Sequence, residues 1–497
     1  MIWLSMLIIN FGIAYLVKVL FASAEIVPFA STGGLGDVCA ALPKALAKKG
    51  ISVFRIMPLY RSIDRGRYRL KLVDTVLDIP LGSSCFQARV FEQTFENVTT
   101  YFIHCPEFFD RDGLYGDDFQ AFNDNYERFL FFQKAVVAVL DQFSMKVDVV
   151  HCNDWHTGLI PFFLRYGING LPRFGKEKTV FTIHNLAHQG WAHAEKFYLT
   201  QLPTSLYHWK ALEFYGELNC LKGGLVASDA VTTVSPSYAK EILTPELGNQ
   251  LDGVLLERVG SLFGILNGVD YSRWNPKTDP HLAASYSYDD LNGKSICKKV
   301  IQQQFGLPEE PKKPLFGMIS RLTHQKGLDL LNSCIESLME LDAQWIFLGT
   351  GESEYENMAA SWAKHWPDRV ATSIAYSSEQ AHQIFAGADF FLMPSIFEPC
   401  GQSQIYSMQY GTVPIGHKVG GLADTIRPYP KKNSSGFLFS PFTTEAFCNT
   451  LSDAIEVYHQ PRRWTPFVKR VMRVDFSVSK MAEEYINVYE RIVEKMA

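Results

Sequence analysis

The sequence lacks the features typical of nucleic-acid-binding, disulfide-stabilised and zinc-binding proteins. Its 47 Lys and Arg against 52 Asp and Glu leave a net charge of −5, so no broad nucleic-acid surface is expected. Its nine Cys residues stand singly and include no CxxC pair. This pattern argues against a disulfide framework or a zinc site, and it favours reduced thiols in the cytoplasm.

The N-terminal stretch MIWLSMLIINFGIAYLV is strongly apolar, but it lacks the basic start and the cleavage site of a signal peptide. It is also shorter than the about 20 residues of a typical membrane span. We therefore interpret residues 1–16 as an upstream extension of the reading frame, with a short membrane anchor as the alternative. Membrane binding is not expected, and folded structure is predicted to start near Val17.

No GxGxxG motif follows a predicted strand with an acidic residue about 20 positions later, so a dinucleotide-dependent dehydrogenase is not expected. A chain of 497 residues is too long for one core. Apolar strands alternate with amphipathic helices in two series, which predicts α/β structure with two Rossmann-like, doubly wound domains facing a cleft. We place these domains at 17–264 and 265–470, with a C-terminal helix in 471–497 that crosses back to the first domain.

Individual elements are predicted within these limits. Three strands within 69–104 form a β insertion beside the first sheet. The spacing of apolar residues predicts helices over 37–50 and 328–340, and a C-terminal helix over 476–493. The apolar face of that last helix consists of Met481, Tyr485, Val488 and Ile492.

Glycine-rich and polar loops follow the predicted strands at their carboxyl ends, where ligands bind in open α/β sheets. These loops are STGGLGD (31–37), NDWH (153–156), HNLAHQG (184–190), SRLTHQKG (320–327), IFEPCGQS (396–403) and KVGGLADT (418–425). Their convergence at one edge predicts a ligand site between the two domains.

Taken singly, these loops also have structural interpretations. A Gly-Gly pair is typical of a tight turn, and His184 could be a hydrogen-bonded histidine in a buried loop. Arg321 and Lys326 could be a solvated pair at a helix start, and Glu398 could cap the helix that begins near Gln402. Core packing alone does not require cations, a His, an Asp and a Glu at one edge, which favours the functional interpretation.

The first glycine loop contains no Lys or Arg, although a phosphate site needs positive charge. Arg321 offers a planar fork and Lys326 a compact charge for a diphosphate held between the domains. Gly420 and Gly421 open a helix near Ala423, which would add backbone donors and a helix dipole. We expect the second domain to bring the cations across the cleft, where they stabilise charge that develops on a leaving diphosphate.

A family resemblance covers the chain from about Lys18 to its C-terminus. The motifs TGGLGDV, FFDRDGLYG, HCNDWHTGLIP, VFTIHNLAHQG, SRLTHQKGLD, FEPCGQSQIYSMQYGTVP and GGLADT, in this order, resemble those of bacterial glycogen synthases and plant starch synthases. These are retaining glycosyltransferases of the two-domain GT-B fold. The resemblance implies glucose transfer from ADP-glucose to the non-reducing 4-OH of an α-1,4-glucan, either glycogen or a maltooligosaccharide. It implies no metal and no cofactor, and it leaves the oligomeric state open.

The resemblance also implies roles for individual residues. The catalytic set is Glu398, His184, Arg321, Lys326 and Asp154. The donor-binding set is Ser31, Thr32, Gly33, Gly34, Asp37, Asn267, Arg321, Lys326, Tyr376, Cys400, Gly401, Val419, Gly420 and Gly421. The acceptor-sugar set is Tyr115, Asp154, Trp155 and His156.

Three positions depart from related patterns. Ser31 replaces the family's usual Lys, and Val419 replaces its usual Thr, so donor binding is expected to be weaker unless Lys418 or His417 compensates. Tyr406 stands eight positions after Glu398, where many retaining transferases carry a second Glu, which favours front-face substitution. Three alternatives stay open: UDP-glucose as donor, another acceptor, or a catalytically weakened glucan-binding regulatory protein.

Overall fold

The computed structural model describes residues 17–116, 120–168, 175–375 and 377–494. The predicted extension 1–16, the predicted site residue Tyr376 and the last three residues of the C-terminal segment lie outside the described residues.

The strands are β1 (Lys18–Ala22), β2 (Ser52–Pro58), β3 (Lys71–Leu81), β4 (Ser84–Phe95), β5 (Val98–His104), β6 (Val149–Asn153), β7 (Lys178–Ile183), β8 (Trp191–Ala192), β9 (Glu213–Phe214), β10 (Glu217–Asn219), β11 (Ala230–Thr233), β12 (Leu262–Gly264), β13 (Leu315–Ile319), β14 (Gln344–Leu348), β15 (Val370–Ser373), β16 (Phe390–Met393), β17 (Val413–His417) and β18 (Phe437–Phe439). The helices are α1 (Gly34–Lys48), α2 (Pro106–Phe109), α3 (Asn125–Gln142), α4 (Ile160–Tyr166), α5 (Cys220–Ala227), α6 (Pro236–Glu241), α7 (Asp252–Leu256), α8 (Asn292–Gln304), α9 (Leu328–Ser333), α10 (Ile335–Glu340), α11 (Ser353–His365), α12 (Ser378–Gly387), α13 (Ser403–Gln409), α14 (Gly420–Thr425), α15 (Thr444–Tyr458), α16 (Pro461–Val471) and α17 (Val478–Glu494).

The first sheet has nine strands in the order β12-β11-β7-β6-β1-β2-β5-β4-β3. The strands from β12 to β5 pair in parallel, whereas β4 and β3 pair antiparallel. All of β6 is buried, as expected for a parallel strand covered by helices. The predicted β insertion does not stand beside this sheet but extends it, because β5 pairs directly with β2.

The second sheet has six parallel strands in the order β15-β14-β13-β16-β17-β18. The strand order reverses between β13 and β16, and a crevice outside the carboxyl ends of such a pair is where ligands bind in open α/β sheets. Arg321 and Lys326 follow β13, and Glu398 follows β16. The charged loops thus lie where the strand order reverses. The two sheets, with their parallel strands and connecting helices, confirm the predicted α/β class with doubly wound sheets.

Two predicted helices differ in the structure. The first begins at Gly34 rather than at Asp37, so the glycine pair itself opens α1. The helix predicted over 328–340 is divided into α9 and α10 at Cys334, whose φ of −123° leaves the helical range. A third, antiparallel sheet with the order β8-β10-β9 was not predicted, because its strands have only two or three residues each.

Each large sheet has its own apolar core. The first core uses residues from Val17 to Ile265 together with α17, and the second uses residues from Val269 to Met472. The buried face of α17 includes Tyr489, whose hydroxyl lies 2.7 Å from His151 Nδ1 in the first sheet. Within residues 17–494, leaving aside the masked gaps, no helix combines the length and apolar character that a bilayer crossing requires.

The chain passes between the two halves twice, and the two passes run side by side. Val269 N donates to Phe476 O at 2.8 Å, and Val478 N donates to Val269 O at 3.1 Å. A Cβ at Gly268 would lie only 2.5 Å from Val478 Cα, so glycine permits this close approach. We call these paired passes the double crossing.

Candidate functional site

The first glycine loop is fixed by a buried carboxylate that follows β1. Glu25 accepts hydrogen bonds from Thr32 N at 2.6 Å, Thr32 Oγ1 at 2.9 Å and Tyr115 OH at 2.6 Å. Thr32, Gly33 and Gly34 themselves remain exposed. We did not predict a role for Glu25, although an acidic residue inside the apolar run VLFASAEIVPFA was the available signal.

The Ser31 hydroxyl forms its hydrogen bonds within the first glycine loop itself. It donates to Gly33 O at 2.9 Å and accepts from Gly33 N at 3.3 Å. The loop therefore has no cation of its own, but one approaches from the second half of the chain. Arg273 Nη1 lies 3.3 Å from Asp37 Oδ1, in the first turn of α1. Burial raises the pKa of Asp37, and Arg273 partly opposes that rise.

His417 and Lys418 were the predicted compensating cations, and the structure excludes His417. Its Nδ1 donates to Ser395 O at 2.9 Å, and burial lowers its pKa, so the ring is neutral. Lys418 is exposed at the same edge. Arg273, which no motif pointed out, is the cation that the fold brings to α1.

Asp154 and His184 are brought together at the ends of β6 and β7. Asp154 adopts a positive φ of 55°, and its Oδ1 accepts from His184 N at 2.7 Å. Burial raises the pKa of Asp154 to about 7 and lowers the pKa of His184 to about 3. His184 Nε2 lies 2.9 Å from Asn153 Oδ1. Since Asn153 Nδ2 donates to Ala22 O, its Oδ1 is an acceptor for His184 Nε2–H. Nδ1 of the neutral imidazole is then an acceptor position, with no hydrogen-bond partner among the described residues.

Asp154→Asn is expected to flatten the pH dependence of stability. A native pKa above the unfolded value means that the folded state binds the proton more tightly. The free energy of unfolding therefore falls as pH rises from about 4 to about 7. Urea unfolding at pH 4.5 and 7.5 should show a smaller difference for the variant than for the wild type. The exposed Asp368→Asn serves as the control, and an unchanged pH dependence in Asp154→Asn would contradict the assignment.

The predicted acceptor residues form a continuous aromatic wall. The rings of Tyr115 and His156 stack with centroids 4.9 Å apart, and Trp155 lies 4.1 Å from His156. Phe129 meets His156 edge-on at 4.6 Å. Burial lowers the pKa of His156 well below its usual range, so this ring is neutral. His156 is buried between its neighbours, so the half-buried Tyr115 and Trp155 are the rings of this wall that offer surface to a sugar.

Glu398 and Lys326 form the charged centre of the second half. Glu398 Oε2 accepts from Lys326 Nζ at 2.6 Å and from Ser395 Oγ at 2.9 Å. The side chains of Lys326 and Glu398 are only 16% and 8% exposed, which makes this a largely desolvated pair. Gly327, with φ of 76°, allows the close approach, because a Cβ there would lie 1.9 Å from Pro394 O. The capping interpretation of Glu398 is wrong, since α13 has Gln402 as its N-cap and no side-chain cap.

Arg321 is exposed at the end of β13. Across the described ranges, no hydrogen bond or ion pair engages its guanidinium. Burial lowers the pKa of His188, a residue of the first half, and the nearby positive charge of Arg321 lowers it further. Arg321 therefore lies close enough to the first half for its charge to act on His188.

The second glycine pair does not offer free N–H groups. Gly420 N donates to Glu241 Oε1 at 2.8 Å, and Gly421 N donates to Glu398 O at 3.0 Å. A Cβ at Gly420 would lie 2.0 Å from Glu398 O, and one at Gly421 would lie 2.1 Å from Cys400 O. The pair thus holds the Glu398–Cys400 backbone by close packing, which corrects the expectation of free backbone donors.

The helix behind this pair begins at Gly420, not near Ala423, with Val419 as its N-cap. It is tied to α6 of the first half, because Asp424 accepts from Ser237 N at 2.8 Å and from Ser237 Oγ at 2.7 Å. The role of α6 in joining the halves had no signal in the sequence.

Asn267 and Cys400 complete the floor of the second half. Asn267 is buried, and its Oδ1 has no hydrogen-bond partner within the described part of the chain. A backbone hydrogen bond from Asn267 opposes the effect of burial on Cys400, whose pKa is raised to about 12. Gly401 next to it has φ of 68°, a conformation that favours glycine. The Asn267 oxygen is thus an exception among buried acceptors, which are normally satisfied.

The two halves of the site meet across the cleft. A Cβ at Gly34 would lie 3.4 Å from Gln402 Oε1, which places the first glycine loop at the start of α13. Ser235 Oγ donates to Pro399 O at 2.6 Å, next to Glu398. The predicted site residues thus lie on two facing walls. No group of three or more His, Cys, Asp or Glu side chains placed to share a metal ion occurs among the residues described.

Comparisons with known proteins identify chains and structures that are similar over most of this sequence. Residues 18–257 match the family model "Starch synthase catalytic domain", and residues 300–470 match "Glycosyl transferases group 1". A glycogen synthase of Bacillus cereus is 41% identical over 480 residues, covering 96% of this chain and 100% of the relative. A glycogen synthase of Geotalea daltonii is 40% identical over 481 residues, covering 96% and 99%. The catalytic domain of starch synthase IV from Arabidopsis thaliana, solved with ADP and acarbose, superposes with a TM-score of 0.88 at 34% identity, covering 96% and 99%.

Proposed function

Because the chain belongs to the family of glycogen and starch synthases, and is therefore a hexosyltransferase, we propose that it transfers glucose from ADP-glucose to the non-reducing 4-OH of an α-1,4-glucan with retention of configuration. The observation that carries this proposal is the Lys326–Glu398 pair at the strand reversal. Arg321 lies on the same loop after β13 and has no ion-pair partner among the described residues. Two cations and one carboxylate match a diphosphate leaving group next to a sugar.

In the proposed reaction the glycosidic bond from C1 of glucose to the phosphate oxygen breaks, and a bond from C1 to O4 of the acceptor forms on the same face. Arg321 and Lys326 stabilise the negative charge on the departing diphosphate. The departing phosphate oxygen takes the proton of the acceptor 4-OH. Glu398 stabilises positive charge on the sugar ring, while neutral His184 accepts a sugar hydroxyl at Nδ1.

The residue eight positions after Glu398 does not support a double displacement, because it is a tyrosine and not a second carboxylate. Tyr406 stacks on Trp274 with ring centroids 4.0 Å apart, and burial raises the pKa of its phenol well above the usual range. A neutral, stacked phenol is not a nucleophile for C1. Front-face substitution therefore remains the proposed route to retention.

The remaining assignments belong to the same proposal. The donor lies between the first glycine loop and the loops after β13, β16 and β17, in the domains proposed at 17–264 and 265–470. The acceptor glucan lies along the aromatic wall of Tyr115, Trp155 and His156. The ADP and acarbose in the Arabidopsis structure support a nucleotide and an oligosaccharide in this fold. Nine free thiols, most of them buried, support a cytoplasmic location.

Nucleotide release from the purified full chain tests this function, with glycogen as acceptor and either ADP-glucose or UDP-glucose as donor. Glycogen-dependent release of ADP is the expected result. Release from UDP-glucose alone would keep the reaction and overturn the donor. Glycogen binding with no release from either donor would overturn the enzyme function and favour the regulatory alternative.

Ser31→Lys is expected to lower the KM for the donor. The exposed loop beside Gly33 lacks a cation, and one charge-assisted contact contributes about 1.5–3 kcal/mol, or roughly 10- to 100-fold in affinity. Initial rates at varied ADP-glucose and saturating glycogen measure the change. Ser31→Ala, which removes the loop contacts without adding charge, is the matched comparison. An unchanged KM in Ser31→Lys would place position 31 outside the donor site.

A further inference from the structure

The small sheet β8-β10-β9 presents a group of aromatic rings, which we call the aromatic strip: Trp191, Phe214 and Tyr215. Trp191 is 45% exposed and Tyr215 is 73% exposed, while Phe214 is buried between them. The centroid of the Phe214 ring lies 5.2 Å from that of Trp191 and 4.7 Å from that of Tyr215. Exposed, contiguous aromatic surface of this kind marks a binding site.

Tyr215 is held in an unfavourable conformation that displays its ring. Tyr215 and Gly216 form the two-residue turn between β9 and β10, with φ of 53° and 82°. Asn-Gly is the favoured pair for such a turn, and a bulky aromatic residue there is uncommon. Gly216 N donates to Glu213 Oε1 at 2.7 Å, and Tyr207 OH donates to Gly216 O at 2.8 Å. The turn is thus fixed, and strain of this kind is concentrated at functional sites.

The aromatic strip begins next to the aromatic wall of the candidate site. Gly190, directly before Trp191, lies against Trp155, because a Cβ there would be 2.3 Å from Trp155 Cε3. Cys220 N, directly after β10, donates to Gly190 O at 3.2 Å and so holds the residue before β8 next to the end of β10. The strip therefore begins at the residue that follows the backbone packed on Trp155.

The charges around the strip favour a neutral, hydroxyl-rich ligand. The Glu217 carboxylate lies 3.2 Å from His193 Nδ1 at the edge of the strip, and Glu213 flanks the turn. Lys222 Nζ lies 5.2 Å from the centroid of the Phe214 ring, so charges of both signs border the strip and favour neither an anion nor a cation. The carboxylates accept hydrogen bonds from hydroxyl groups. Pyranose rings present apolar C–H faces that stack on aromatic side chains, with hydroxyls at their rims.

We propose that the aromatic strip binds the acceptor glucan several glucose units away from the end that reacts. This inference rests on the proposed function, because its ligand is the polymer elongated at the cleft. The strip binds a long acceptor, whereas a short acceptor bound at the reacting end does not extend as far as the strip. Substitution of the strip residues therefore weakens the binding of glycogen and leaves glucose transfer to maltotriose unchanged.

The test is the double variant Trp191→Ser/Tyr215→Asn in the full chain, where Asn suits the left-handed turn and preserves the hairpin. Glycogen affinity is measured by affinity electrophoresis, which needs no turnover, and the KM is measured for glycogen and for maltotriose. We expect about a tenfold loss of glycogen affinity, from two stacked rings, with an equal rise in the glycogen KM. Tyr198→Ser is the control, because Tyr198 is 62% exposed but packs at Gly82 and makes no ring contact with the three residues of the strip among the described residues.

Unchanged glycogen affinity in the double variant would overturn the proposal. Equal losses for glycogen and maltotriose would also overturn it, since the strip would then act through the reacting end. A changed oligomeric state by light scattering, with unchanged glycogen affinity, would assign the strip to contact between copies of the chain. Absence of any glucose transfer by the wild type would reject the proposed function, whereas the electrophoresis would still decide whether the strip binds glucan.

Discussion

Glu398→Gln is expected to lose glucose transfer by about 10²–10³-fold or more, the range seen when one preorganised electrostatic contact is removed. The substitution keeps the size of the side chain and removes its charge. Positive charge that develops on the sugar then has no carboxylate opposite it. ADP affinity should change little, because Arg321 and Lys326 remain.

The measurement pairs incorporation of labelled glucose into glycogen with ADP binding by calorimetry. Glu354→Gln, an exposed glutamate on α11, is the matched substitution that should leave both unchanged. Near-normal transfer by Glu398→Gln would reject its electrostatic role. Loss of folding would instead make Glu398 a structural residue of the β16 loop.

Lys326→Met is expected to reduce both activity and stability. Activity should fall about 10²–10³-fold, because one of the two cations for the leaving diphosphate is gone. Stability should fall by about 3–5 kcal/mol, because the Glu398 carboxylate stays behind in a largely desolvated place without its partner. Urea unfolding and initial rates measure the two effects.

Two further variants separate these effects. The double variant Lys326→Met/Glu398→Gln removes both charges, so it should regain most of the stability while staying inactive. Arg321→Met should lose activity without loss of stability, since Arg321 is exposed and has no ion-pair partner among the described residues. If the double variant were no more stable than Lys326→Met, the buried-pair explanation would be wrong.

The sequence predicted most of the fold because both sheets are built from apolar strands of ordinary length joined by amphipathic helices. The site loops were predictable for a related reason. Carboxyl ends of parallel strands meet at one edge of a sheet, so Asp154 could be placed near His184, and Arg321 near Glu398, from strand order alone. The small sheet escaped prediction, since β8, β9 and β10 are too short to show a period.

Contacts between distant residues were not predictable. Glu25 binds Tyr115 from 90 positions away, and Arg273 reaches Asp37 across 236 positions. No local pattern encodes such a distance. The glycine pair at Gly420 was found but misread, because backbone N–H groups that look free in a sequence can donate to a carboxylate such as Glu241 from another domain.

The double crossing at Val269 and Val478 limits how the two halves move relative to each other. Two domains joined by a single chain segment can rotate about any axis relative to each other. Two adjacent segments that hydrogen-bond to each other leave rotation about the line through both segments as the easiest motion. Rotation about this line is the motion by which we expect the cleft to open. It would move Arg321 along one path relative to His188, so the double crossing would help to align the proposed catalytic groups before any substrate binds.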